Sequence, residues 1–221
     1  PELAESWEYT DDVTLVVKLK KNVKFSNGTP MTAEDVKFTY EMCLNSTSAS
    51  SMAGLKSVDV IDDHTIQLNL ESYNNEFLVN LGATNLGIQS KAAYDSGMAE
   101  PYLIGTGQYK FSEWVQGEYV SFVKNENYWD PANAGKANTI TFRPILEASS
   151  RTIALQNGEI DVCIDPPINE LDELKKQENI TVFEKTGTRL FYFAFNVTKE
   201  PWSNKTLWQA VACAINRDDV I

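Results

Sequence analysis

The side chains able to do covalent or metal chemistry in this 221-residue chain are few and poorly grouped. Its single histidine, His64, directly follows Asp62 and Asp63. Adjacent residues of one turn do not converge on a metal ion, whose shell draws ligands from several directions. A Ser-His-Asp or Cys-His nucleophile system would have to be assembled around that same turn residue, which argues against acyl transfer. Cys43, Cys163 and Cys213 form no C-x-x-C pair, and each lies in an apolar stretch, so all three read as small buried hydrophobes. Gly105-x-Gly107 lacks a third glycine and opens a strand rather than a helix, so it cannot offer helix-terminal amides to a pyrophosphate. It reads as a bend with unusual backbone angles. The 31 acidic residues are too many and too dispersed for a glycosidase-like pair to stand out. No catalytic residue, metal ligand or cofactor motif is predicted, and a chain of this size without a catalytic constellation reads as a binder.

Charge and hydropathy narrow the class further. The formal charge of −12 and the lack of any Lys/Arg block argue against nucleic acid, because phosphate binding needs a basic surface that releases counterions. No apolar run approaches the ~20 residues that cross a bilayer. Both ends read as cut: the chain opens at Pro1-Glu2-Leu3-Ala4 and stops at Asp218-Asp219-Val220-Ile221, where an acidic first turn would open another helix. The expectation is therefore a truncated piece of a longer protein.

The elements that must position any site follow from periodicity. Val13, Leu15, Val17 and Leu19 share one face of a strand. Asn27-Gly28 supplies a turn, and Thr32-Ala33-Glu34-Asp35 is a capping box opening a helix from about Ala33 to Leu44. Asn45 to Ser51 is a loop. Val58, Val60, Ile66, Leu68 and Leu70 alternate on either side of the Asp62-Asp63-His64 turn and predict a hairpin. Short helices around Phe77–Leu81 and after Ser90 close this region. Further strands are predicted at Tyr109–Trp114, Tyr119–Lys124, Ile140–Phe142, Ile160–Ile164, Ile180–Phe183 and Arg189–Phe195. Helices are predicted at Arg151–Gln156 with Gly158 as terminator, at Leu171–Leu174 capped by Asn169, and from about Thr206 to Ile215. Interleaved helices and mostly hairpin-connected strands make the class mixed α and β.

The order of these motifs carries a resemblance. Leu3-Ala4-Glu5-Ser6-Trp7-Glu8 precedes Leu19-Lys20-Lys21-Asn22-Val23-Lys24-Phe25-Ser26-Asn27-Gly28-Thr29-Pro30, which runs into the capping box. Gly105-Thr106-Gly107-Gln108-Tyr109-Lys110-Phe111 with Trp114 follows, then Asn125-Glu126-Asn127-Tyr128-Trp129. Arg151 with Ala154-Leu155-Gln156-Asn157-Gly158-Glu159-Ile160-Asp161 comes next, and Phe195-Asn196 with Arg217-Asp218 ends the series. In this order they resemble the family 5 extracellular solute-binding proteins, the oligopeptide, dipeptide and nickel receptors of ABC importers. Gln108, where proline is more usual, and Gln209 depart from the pattern without breaking it.

The resemblance implies a periplasmic-binding-protein-like class II α/β fold, here a fragment: residues 1–90 a small extra lobe, 91–187 part of a first large lobe, and 188–221 a crossover into a second. It implies capture of peptides outside the cytoplasmic membrane, in a periplasm or as a cell-surface lipoprotein, and delivery to a membrane permease. It also implies a monomer when full length, with no cofactor and no nucleic acid. Uptake of nickel or another metal chelate is the alternative within the family, and an extracellular carbohydrate-active enzyme the alternative outside it. By the same resemblance, Tyr192 and Ala194 on the crossover strand, and Ser51 and Met52 in the loop after the first helix, reach ligand. Trp7, Trp114 and Trp129 are framework. Most ligand contacts are expected from the second large lobe, so this chain should carry only part of the site.

Overall fold

A computed structural model describes residues 2–187 and 192–216. The chain packs as two compact units, Pro1–Leu146 and Glu147–Ile221.

The first unit is built on a four-stranded antiparallel sheet in the order β1-β2-β4-β3. Its strands are β1 (Ala4–Asp11), β2 (Thr14–Leu19), β3 (Leu55–Asp62) and β4 (Thr65–Leu70). The alternation read from sequence is the alternation of burial. Leu15, Val17 and Leu19 on β2, and Ile66, Leu68 and Leu70 on β4, all face the core. The opposite face is polar, with Asn69 donating to Ser57 Oγ at 2.8 Å across the hairpin. Helix α1 (Ala33–Leu44) lays Val36, Tyr40 and Cys43 on the apolar face. Gly28, at φ +88°, makes the turn that brings the chain to it, with Phe25 N–H bonded to Thr29 O at 2.8 Å. Asp35, buried in the first turn of α1, accepts at Oδ2 from Thr32 N–H (2.8 Å) and Thr32 Oγ1 (3.1 Å). Its Oδ1 accepts from Lys91 N–H at 2.9 Å, which pins the start of a later helix, α3 (Lys91–Asp95), to the start of α1. The short α2 (Phe77–Asn80) lies between them in sequence and buries Phe77.

A three-stranded meander, β5 (Tyr109–Val115), β6 (Tyr119–Lys124) and β7 (Thr139–Phe142), completes the unit. Three long-range contacts hold it to the first sheet's connections. Asn22 Nδ2 donates to Trp129 O (3.1 Å), Asn127 Nδ2 to Ser26 O (3.2 Å), and Ser26 N–H to Gly105 O (2.8 Å). Gly105 and Gly107 do not adopt positive φ, contrary to the expectation of unusual backbone angles. Their role is to offer carbonyls at close approach, Gly107 O accepting from the buried Asn125 side chain at 2.7 Å. Gly135 lies against the ring of Tyr109, whose hydroxyl donates to Ala137 O at 3.0 Å, and a Cβ at 135 would fall inside that ring. Gly135→Ala should cost about 1–3 kcal/mol in urea unfolding. An unchanged midpoint would mean that the ring swings out freely.

In the second unit, α4 (Ala148–Gln156) ends at Gly158 with φ +73°, as its sequence predicts. It buries Thr152 and Ala154. Helix α5 (Leu171–Leu174) follows a 3-10 turn at Ile168–Glu170, so Glu170 rather than Asn169 occupies the capping position. Helix α6 (Lys205–Ala214) is capped by Asn204, whose side chain accepts from Thr206 N–H at 3.0 Å. The strands predicted at 160–164 and 180–183 are not formed, and residues 192–195 of the strand predicted at 189–195 carry no strand either. Residues 189–191, and the Arg217-Asp218 pair, lie outside the described residues. A strand needs a neighbour for its backbone N–H and C=O groups. Among the described residues this unit supplies none, and Val162, Ile164 and Phe183 stay exposed.

Candidate functional site

A mostly apolar, half-open concavity of about 630 Å³ lies in the first unit. Val17, Leu19, Ile66 and Leu68 of the sheet floor it, Val36 and Tyr40 of α1 form one wall, and Leu78, Leu81, Leu86 and Ile88 form the other. Trp7 and Trp129 stand at its edge, and Lys20 Nζ lies 4.0 Å over the Trp129 ring. Glu2 is the one charged residue in the lining. Tyr40 is 7% exposed, and burial pushes its phenol up to about 12. Its hydroxyl takes part in no hydrogen bond among the described residues. Helical spacing marks Tyr40 as a core position, and it is buried there.

The residues expected from resemblance to reach ligand are divided between the units. Ser51 and Met52 sit in a 3-10 turn, Ala49–Met52, in the first. Ser51 Oγ accepts from Asn85 Nδ2 at 2.7 Å, tying this turn to the segment after α2. Met52 is fully buried in the core, so its side chain packs the turn from beneath and presents nothing to the surface. Tyr192 and Ala194 belong to the second unit and are exposed, Tyr192 at 77%. Trp114 is 64% exposed, an unusual degree for a residue expected to be framework.

The Asp62-Asp63-His64 turn is a joint rather than a loosely solvated loop. His64 O accepts from Leu19 N–H (2.7 Å), Asp63 O from Ala33 N–H (2.8 Å), and Asp62 Oδ1 from His64 N–H (2.8 Å). The backbone amide of His64 is the foremost cause holding the Asp62 carboxyl below its ordinary value, with the Thr65 hydroxyl next. That shift favours the turn above the ordinary carboxylate range and fades as the pH falls through it. Among the described residues no three His, Cys, Asp or Glu side chains are grouped to hold a metal ion. Of the three cysteines only Cys43 is buried, its thiol 3.3 Å from Ser48 O. Cys163 is half-buried and Cys213 exposed, because α6 buries no residue within its unit.

Comparison with known proteins places this geometry. The family described as bacterial extracellular solute-binding proteins, family 5 Middle, matches residues 1–221. Di/tripeptide-binding protein 1 of Pseudomonas aeruginosa is 29% identical over 100% of this chain and 46% of its own length. The glutathione-binding protein GsiB of Pectobacterium atrosepticum is 30% identical over 99% of the chain and 44% of its own length. The periplasmic binding protein DppA from Helicobacter pylori, solved with the peptide STSA, superposes on 100% of the chain and 48% of its own. Its TM-score is 0.88 at 30% identity. NikZ from Campylobacter jejuni, solved with Ni(L-His), shares the fold with a TM-score of 0.82 at 24% identity. The chain thus spans under half the length of each of these relatives.

Proposed function

Because this chain belongs to the bacterial extracellular solute-binding proteins, family 5, we propose that it is part of a receptor that captures peptides outside the cytoplasmic membrane and delivers them to the permease of an ABC importer. The observation that carries the reading is the likeness, over the whole chain, to a receptor solved with a tetrapeptide, where both sequence and backbone agree. Nickel-chelate uptake rests on a likeness of fold at lower identity, and peptide capture is preferred on that ground. Family membership describes receptors rather than enzymes, and the proposed role is binding without turnover. Residues 1–90 form the small lobe in this reading, 91–187 part of a large lobe, and 188–221 the crossover to a second.

The exposed Tyr192 ring, beside Ala194, is the proposed ligand-facing surface of the crossover, and Ser51 that of the small lobe. Family receptors favour extended peptides, whose main chain supplies the affinity while side chains vary, so no single residue here should dominate. Tyr192→Ala in the full-length protein is expected to weaken peptide binding by about tenfold, a loss of ~1.4 kcal/mol, with folding unchanged. Equal calorimetric affinity would remove Tyr192 from the site.

Native mass spectrometry of the full-length protein, purified without denaturation, tests the function itself. Co-purified masses that fragment as peptides are the expected result. A single metal-chelate or sugar mass, with no peptide retained from a mixed library, would overturn it.

A further inference from the structure

Two 3-10 turns of the first unit, Ala49–Met52 and Thr84–Leu86, are joined through Ser51 and Asn85, which stand 34 residues apart in sequence. Each turn is anchored in the same core by a buried side chain, Met52 in one and Leu86 in the other. Each backbone is closed on itself, Ser51 N–H to Ser48 O at 2.9 Å and Leu86 N–H to Ala83 O at 3.0 Å. Between them Asn85 Nδ2 donates to Ser51 Oγ at 2.7 Å, with Asn85 exposed and Ser51 half-buried. A hydrogen bond open to water adds little to stability, and Met52 and Leu86 already anchor the turns. What the bond does is orient two polar groups. A serine oxygen that accepts keeps its own proton to give, and a primary amide that donates keeps its oxygen to accept. Among the described residues neither capacity is spent: the Ser51 hydroxyl donates to nothing, and Asn85 Oδ1 accepts nothing.

We propose that Ser51 and Asn85 form one recognition unit for the main chain of a bound peptide, the Ser51 hydroxyl donating to a carbonyl and Asn85 Oδ1 accepting the N–H of the same residue. This rests on the reading of the chain as part of a peptide receptor with Ser51 at its ligand surface, and deepens it. In an extended chain the N–H and C=O of one residue point to the same side, as they do where facing residues of two strands exchange both bonds. The pair supplies the matching donor and acceptor from side chains. It touches no side chain of the ligand, which suits a site that holds peptides of varied sequence. Both groups are neutral, which matches an internal peptide group better than a charged terminus. Asn85 therefore has two roles, contacting ligand through its oxygen and positioning the Ser51 hydroxyl through its nitrogen.

The test uses the full-length protein and a random tetrapeptide library. The tetrapeptide retained most strongly in native mass spectrometry is resynthesised, with analogues methylated at each amide nitrogen in turn, and all are titrated by calorimetry. Each methylation removes one N–H donor. At one position it is expected to weaken binding to the unaltered receptor about fivefold and to make no difference to Asn85→Ala. Asn85→Ala and Ser51→Ala should each weaken the parent peptide about fivefold, with unfolding midpoints unchanged. The double variant should lose much less than the roughly 25-fold of two independent contacts. The proposal is overturned if Asn85→Ala binds the parent peptide as well as the unaltered receptor does, or if every methylation costs the two proteins equally. A lowered unfolding midpoint with no coupling to any methylated position would likewise overturn it, leaving Asn85 as a tie between two turns. A library from which no peptide is retained would instead overturn the reading of the chain as part of a peptide receptor, and this proposal with it.

Discussion

Asp35→Ala should destabilise the chain by about 3 kcal/mol, a large effect for one surface-sized side chain. The carboxylate is 6% exposed and accepts three hydrogen bonds, two from Thr32 and one from the backbone of Lys91. Alanine would leave the Thr32 and Lys91 amides without their acceptor in a place where water enters poorly. It would also remove a negative charge from the first turn of α1, where the helix dipole favours one. Asp35→Asn should recover only part of the loss: one amide oxygen can accept, while its NH₂ group would meet a donor. The polar connection continues one turn on, where Thr39 Oγ1 donates to Asp35 O at 2.7 Å and accepts from Gln89 N–H at 2.9 Å. Thr39→Ala should therefore be milder, about 1 kcal/mol. Urea unfolding of the three variants checks the order. A loss below 1 kcal/mol for Asp35→Ala would show that water replaces the carboxylate, and that the junction of α1 with α3 is not held by this group.

The second large effect is alkaline. Tyr40 has its phenol raised from 10.0 to about 12 by burial, so above pH 10 the unfolded chain releases a proton that the folded chain keeps. Stability from this group is complete below pH 10 and is lost as the pH climbs toward 12. At ~1.4 kcal/mol per unit, about 3 kcal/mol disappears across that window. Tyr40→Phe abolishes the loss. The difference in unfolding free energy between the two proteins should be flat up to pH 10 and then grow in favour of the variant. Lys91, Lys175 and Lys176 are raised by their hydrogen-bonded carboxylate partners and also lose their pairing at high pH, but they are common to both proteins and cancel. A constant difference from pH 8 to 12 would mean that Tyr40 ionises as if in water.

Much of the first unit was legible because its side chains obey one period at a time. The strand ending at Leu19 and the 58–70 hairpin alternate cleanly, and α1 carries its own start signal in Thr32 and Asp35. Strand β1 was not legible: Glu5, Ser6, Trp7, Glu8 and Tyr9 give neither face an apolar run, since this edge strand buries none of its residues. Its place depends on pairing with β2, Trp7 opposite Val17 and Tyr9 opposite Leu15, which only the tertiary fold supplies. In the second unit the failure ran the other way. Ile160–Ile164 and Ile180–Phe183 have strand composition, yet composition cannot provide the neighbouring strand that a ladder requires. The family was legible from motif order, which survives when individual motifs drift. The concavity was not, because Tyr40 reads as core whether or not it lines open surface. Met52 shows the same limit, since a loop residue of apolar type can point outward or into the core, and here it is buried.

The contacts between the first sheet's connections and the meander also set an order of events during synthesis. β1 to β4 and α1 pair and pack within residues 4–70, so they can begin to assemble before the meander is made, while Phe77, Leu86 and the Lys91 amide complete their core soon after. The bonds from Asn22 to Trp129 and from Ser26 to Asn127 span 107 and 101 residues, so they close only after some sixty further residues have emerged. Until then Trp7 and the sheet beneath it lack Trp129, and β1 is an open edge of a nascent sheet, as it is of the finished one. The acidic composition, with Glu5 and Glu8 on that edge, would keep such intermediates apart on neighbouring polysomes by mutual repulsion.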